Sequence, residues 1–180
     1  MLNIIALGGS NSKDSINKTL AVYAASLIKN ASVTVVDLKE LDLPMYGIDE
    51  ENENGIPEHV HKLNRQIAAT DGLVLSLAEH NGCYSAAFKN VFDWLSRIDG
   101  KVWQNKPMLL MGTSPGGRGA QTVLGIALAE FPRRGGNIVV DFSFPSFEDN
   151  FSNNDITNSK LKEELISKVR LFEETLNYKE

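Results

Sequence analysis

From residue 7 to residue 20 the chain reads LGGSNSKDSINKTL. Ser10, Asn11, Ser12, Ser15 and Asn17 put five hydroxyl or amide side chains on eight consecutive positions. Such groups donate hydrogen bonds without carrying charge. A helical pattern follows them, and the first turn of a helix adds unpartnered N–H groups and a partial positive charge. Together these bind an anion. Helix capping by Asp14 or Ser15 needs one such side chain, not five. Gly8 and Gly9 let the backbone turn tightly into the loop. A P-loop is excluded, because Ser15-Ile16-Asn17 stands where Gly-Lys-Ser/Thr is required. The dinucleotide fingerprint G-x-G-x-x-G is absent too, since Gly8 and Gly9 are adjacent. A hydroxyl-rich loop of this kind suits a terminal monophosphate.

Two further segments carry chemistry-capable residues, LAEHNGCYSAAFKNVFDW (77–94) and GTSPGGRGAQ (112–121). Gly82, Gly116, Gly117 and Gly119 are expected to let the backbone approach a flat molecule. Arg118 suits either a substrate phosphate or a pairing across a subunit interface. Cys83 has no partnered His and Asp pattern, so a buried small hydrophobe is expected there. His59 and His61 lie off the apolar stripe of their helix and are expected in solvent. No histidine and carboxylate spacing makes a metal site. Asp93 and Trp94 are expected in helix packing or a subunit contact.

The elements that position these residues alternate. Apolar runs at 2–7, 32–38, 72–78, 107–114 and 137–144 read as strands. Several are apolar on successive residues, the mark of strands buried on both faces of a parallel sheet. Between them lie helical stripes: Ile16, Leu20, Tyr23 and Leu27; Val60, Leu63 and Ile67 after Pro57; Leu161, Leu165, Val169, Phe172 and Leu176. The order predicts an α/β fold, a doubly wound five-stranded parallel sheet with helices on both faces, as one domain over 1–180. If so, all three loops share the edge at the strands' carboxyl ends, where such sheets bind ligands. The acidic segment 47–57 reads as a mobile surface loop.

The helices predicted at 85–98 and 118–131 are apolar on two sides, which implies a homodimer through them. The net charge of −5 argues against a nucleic-acid partner. One cysteine precludes an intrachain disulfide. With no membrane-length apolar run and no targeting pattern, a cytoplasmic protein without a membrane partner is expected.

These motifs resemble the NAD(P)H-dependent FMN reductase family, of flavodoxin-like fold. The family pattern G-S-x-R-x-x-S-x-N corresponds to Gly9 through Asn17. The pattern P-E-Y-N corresponds to Ala78-Glu79-His80-Asn81, and L-K-N-A-x-D-W to Phe88 through Trp94. The loop S-P-G-G-x-G corresponds to Ser114 through Gly119. The resemblance implies a bound FMN, with Ser10, Ser12, Ser15, Ile16 and Asn17 around its phosphate. Ala78, Glu79, His80 and Asn81 would line the isoalloxazine, largely through backbone groups, and Ser114, Gly116 and Gly117 would border its other edge. Arg118, apart from the resemblance, is a candidate for a phosphate of the nicotinamide substrate or for a pairing across a subunit interface. Members are commonly dimers or tetramers. Ser12 replaces the loop arginine, which implies weaker FMN retention; Ala78 replaces proline and His80 replaces tyrosine.

By this resemblance the flavin carries the chemistry, and no dedicated catalytic side chain is required. NADPH or NADH would reduce it, and a small-molecule acceptor such as a flavin, quinone, azo compound or metal oxyanion would reoxidise it. Two other readings use the same residues: a flavodoxin-type FMN electron carrier, and a dinucleotide-binding dehydrogenase with Asp37 holding a ribose. A member that no longer keeps FMN is a third.

Overall fold

The computed structural model describes residues 1–177. In chain order the first half contains β1 (Leu2–Gly9), α1 (Ile16–Ser26), β2 (Ala31–Val36), α2 (Ile48–Asn54), α3 (Glu58–Ala69) and β3 (Gly72–His80). The chain continues through β4 (Cys83–Tyr84), α4 (Ala86–Ile98), β5 (Pro107–Thr113), α5 (Gln121–Glu130) and a 3₁₀ turn (Phe131–Arg134). It ends with β6 (Asn137–Phe144), α6 (Phe147–Asn150), β7 (Phe151–Ser152), β8 (Asp155–Ile156) and α7 (Ser159–Asn177).

Five parallel strands lie in the order β2-β1-β3-β5-β6, the doubly wound arrangement of flavodoxin-like proteins. Alternating side chains of one strand enter different layers. Ile5 and Leu7 join a core with α3, α4 and α5, while Ile4 and Ala6 join one with α1 and α7. This is why the strand sequences are apolar on successive residues.

Three local features differ from the sequence reading. Beyond the five expected strands, β4 pairs antiparallel with the end of β3, and β7 and β8 form a separate hairpin. Asn81 and Gly82, at φ 52° and 74°, make the tight turn between β3 and β4 that an Asn-Gly pair favours. The helix expected from 118 starts at Gln121, because Gly119 and Ala120 both have left-handed backbone, at φ 55° and 60°.

The third difference lies at 47–57, which contains α2 rather than an irregular loop. Asp49, Glu50 and Glu51 sit in its first turn, where acidic groups favour a helix N-terminus, and Gly55 ends it at φ 75°. The segment before and after α2 covers α4: Leu41, Leu43, Tyr46 and Ile56 pack against its core. Trp94 Nε1 donates to the Pro44 carbonyl at 2.9 Å, and the Tyr46 ring meets the indole edge-on at 5.0 Å. Asn90 accepts from Tyr46 N at 2.7 Å and donates to Pro44 O at 3.0 Å. Trp94 is fully buried within the single chain. The two-sided pattern of this helix therefore needs no second subunit. On α5, by contrast, Ile126 and Leu128 remain exposed.

Candidate active site

Strand order reverses between β1 and β3, so the switch point lies at their carboxyl ends. There the chain leaves β1 through residues 10–15 and enters α1. Ser15 caps the helix, its Oγ accepting from Lys18 N at 3.1 Å. The N–H groups of Ile16 and Asn17, at the first two helical positions, have no carbonyl to meet within the helix. Ser10 Oγ accepts from Ser12 N at 3.2 Å, and Ser12 Oγ from Asp14 N at 3.3 Å, which folds the loop on itself. A Cβ at Gly8 would come within 2.4 Å of Lys18 N. Gly8 thus lets the first turn of α1 press onto the end of β1.

The three loops converge on a cavity of about 180 Å³. Of the residues expected at the site, Ser10, Ser12, Ser15, Ile16, Asn17, Ala78, Glu79, His80 and Ser114 line it. Asp14, Thr113 and Pro115 line it as well, and the sequence reading did not select them. Pro115 belongs to the S-P-G-G-x-G motif and Asp14 to the loop before α1, whereas Thr113 was signalled only by adjacency to Ser114. Asn81, Gly116, Gly117 and Arg118 stand outside the lining. Asn81 is spent on the hairpin turn, and Gly116 and Gly117 are exposed on the outer arm of their loop. A larger groove of about 530 Å³ runs along the outside of α1, past Val22, Val35 and Phe151. None of residues 10–17 lines it, so the smaller cavity is the one that gathers the loop hydroxyls and the start of α1.

Several side chains serve different ends from those expected. The Asn17 amide is committed inside the protein. Its Oδ1 accepts from Ser76 Oγ at 2.7 Å and from Thr113 N at 3.2 Å, and its Nδ2 donates to Thr113 O at 3.2 Å. Its contribution to an anion is therefore the backbone N–H rather than the side chain. The Glu79 carboxylate is engaged by neighbouring groups: one oxygen accepts from Val123 N at 3.0 Å, capping α5, and the other lies 3.5 Å from the exposed Arg118 guanidinium. Gly119 serves packing rather than ligand approach, because a Cβ there would lie 2.4 Å from Ser143 Oγ. Cys83 is exposed, not buried. It alternates on β4 with Tyr84, and Tyr84 takes the inward position.

Asp37 is engaged as well. Lys18 Nζ donates to one carboxylate oxygen at 2.5 Å and Lys39 N to the other at 3.0 Å. Burial pushes this carboxyl up, but the Lys18 and Lys39 donors outweigh burial and hold it below its ordinary range. A carboxylate held this way is a brace between α1 and the end of β2, not an open ribose ligand.

The donor set fits a phosphomonoester: three loop hydroxyls and two helix-end N–H groups. Asp14 stands on the rim with its charge in solvent, 3.9 Å from Lys13 Nζ. Sheet order defines a flavodoxin-like fold, with loop hydroxyls and the α1 N-terminus gathered at its switch point. Family comparison narrows this class. The model of the NADPH-dependent FMN reductases matches residues 2–141, and the chain belongs to that oxidoreductase family. A 2-hydroxy-1,4-benzoquinone reductase from a Burkholderia species is 37% identical over 136 residues, covering 74% of this chain and 69% of that one. A quinone reductase of Escherichia coli K12 is 33% identical over 120 residues, covering 64% and 61%. The matches thus span 61–69% of these relatives' lengths. In fold, a flavoenzyme NAD(P)H:(acceptor) oxidoreductase from Paracoccus denitrificans superposes with a TM-score of 0.82, at 24% identity and 98% coverage of both chains.

Proposed function

We propose that the chain is an FMN-dependent NAD(P)H oxidoreductase that reduces small acceptors of the quinone, flavin or azo type. The observation that carries this reading is the convergence of the hydroxyl loop, the 78–80 strand end and the 113–115 turn on one cavity. Ser10, Ser12 and Ser15 hydroxyls and the N–H groups of Ile16 and Asn17 would take the cofactor phosphate. The cavity is below the roughly 300 Å³ of a whole-ligand pocket. It would therefore seat the phosphate end and leave a planar ring to the backbone of 78–81 and 114–117.

The bound flavin would supply the redox chemistry, accepting a hydride from NADPH or NADH and passing its electrons to the acceptor. Backbone groups of Glu79, His80 and Asn81 would face the ring, because the Glu79 carboxylate is occupied by α5. Arg118, with its head in solvent, is available to a substrate phosphate. The relatives' names favour quinones among the acceptors. We place the enzyme in the cytoplasm as a homodimer or tetramer. Of the two helices first considered for the contact, the exposed apolar face of α5 supports it.

The purified protein should show flavin absorption, or gain it when FMN is added, and the bands should bleach on anaerobic addition of NADPH. A protein that remains colourless with FMN present sinks the proposal. A protein that holds FMN but does not oxidise either nicotinamide nucleotide is a flavodoxin-type carrier instead.

A further inference from the structure

Ser76 interrupts a strand that otherwise reads as buried hydrocarbon, with Leu75 and Leu77 on either side. Its side chain is completely buried, and a buried hydroxyl is costly unless it is bonded. The bond it makes is to Asn17 Oδ1 at 2.7 Å. Ser76 does not line the cavity, whereas Asn17 and Thr113 do.

From Asn17 the polar contacts continue to the end of β6. Its amide clasps both the N–H and the carbonyl of Thr113. Thr113 Oγ1 donates to Phe144 O at 2.7 Å, at the end of β6. Just beyond, Ser146 N donates to Gly116 O at 3.0 Å and Phe147 N to Ser114 O at 3.2 Å. The network therefore joins the middle of β3, the first turn of α1, the end of β5 and the 114–116 turn. Every member between Ser76 and Thr113 is at least 97% buried. Water cannot substitute freely for these bonds, and a satisfied buried network fixes a single arrangement.

We infer that Ser76 is a positioning residue for the cofactor site, acting through Asn17 to set the spacing of the α1 N-terminus and the 113–116 turn. It touches no ligand. By donating to Oδ1 it fixes which way the Asn17 amide faces, and so lets that amide grip Thr113 with both its oxygen and its nitrogen. The inference rests on the FMN reading for its consequence in binding, but the network itself does not.

Four variants test it: Ser76→Ala, the near-isosteric Ser76→Cys, Asn17→Ala, and the Ser76→Ala/Asn17→Ala double. FMN affinity is read from flavin fluorescence quenching on apoprotein. Ser76→Ala should weaken binding about tenfold, the scale of one buried hydrogen bond. Ser76→Cys, a weaker donor that keeps the volume, should fall between it and wild type. In the Asn17→Ala background the Ser76 change should add nothing. Hydrogen exchange of the Thr113 amide in apoprotein gives a reading that needs no flavin: it should quicken about tenfold in Ser76→Ala, with α7 amides unchanged. Unaltered FMN affinity in folded Ser76→Ala and Ser76→Cys, or full additivity in the double variant, overturns the inference. If wild type takes no FMN, the functional reading falls, while the Thr113 amide still decides the network: faster exchange supports it and unchanged exchange overturns it.

Discussion

Helices α4 and α5 carry the same kind of sequence and meet different fates. Both are apolar on two sides. The outer side of α4 is roofed by residues 41–56, with Trp94 and Asn90 bonded to Pro44 and Tyr46. The outer side of α5 has no such cover among the described residues, and Ile126 and Leu128 remain exposed. A two-sided apolar helix therefore says that something covers it, not what. For α4 the cover is the polypeptide's own crossover between β2 and α3; for α5 the proposed cover is a second copy.

The contrast can be broken most forcefully at Trp94. Trp94→Ala removes a fully buried indole and its bond to Pro44, and should cost about 3–5 kcal/mol in urea unfolding. Equal unfolding midpoints for variant and wild type would show that the roof over α4 is loose.

Next in size is the seam between the two helices. There Tyr84 packs on Phe88 of α4 and stacks at 6.1 Å on Phe131, which follows α5. Its hydroxyl has no hydrogen-bond partner among the described residues. Burial, with the nearby Cys83 and Glu130, pushes its pKa up to about 12. An unfolded chain ionises its tyrosines near pH 10 and so loses protons first. Stability should accordingly be intact below pH 10 and fall between pH 10 and 12, with Tyr84 contributing on the order of 2 kcal/mol to that loss. Tyr84→Phe should remove its share and, by deleting an unpaired buried hydroxyl, raise neutral-pH stability by about 1 kcal/mol. Alkaline melts of both proteins check this. Tyr23, also raised to about 12, should leave a residual alkaline loss in the variant.

Smaller still is the bond from Arg97 Nε to Glu51 at 2.8 Å, which fastens α2 to α4. Glu51→Gln should change stability by no more than about 1 kcal/mol, with the difference shrinking in high salt. Smallest for folding is Ile126→Asp on α5, within about 0.5 kcal/mol in conditions where the protein is monomeric. Its effect should appear in sedimentation equilibrium, as a fall from oligomer to monomer mass. Wild type sedimenting as a monomer would leave α5 bare in solution and end the comparison.

Local pattern carried much of this protein. The strands at 2–7 and 72–78 were legible because burial on both faces leaves unbroken apolar runs. A cap at Asp14 or Ser15, which the structure assigns to Ser15, and the hydroxyl-rich character of the 10–17 loop were legible, because donors and a helix start are encoded within eight residues. The Asn81-Gly82 hairpin was also encoded locally, although the sequence reading assigned those residues to ligand contact. The helix at 48–54 escaped because an acidic, glycine-flanked stretch has no apolar stripe of its own.

What the linear sequence determined, then, is the five parallel strands, their alternation with helices, and the donor chemistry of the loop at 10–17. Tertiary structure alone decided which of those loops meet, that Asn17 turns its amide inward, and that Pro44 shields Trp94. The reason is distance along the chain. Asn17 and Thr113 are 96 residues apart and Pro44 and Trp94 are 50 apart, so neither contact leaves a periodic trace. Such pairings are set by the order in which the strands assemble and by the need to satisfy every buried polar group, and both are properties of the packed whole.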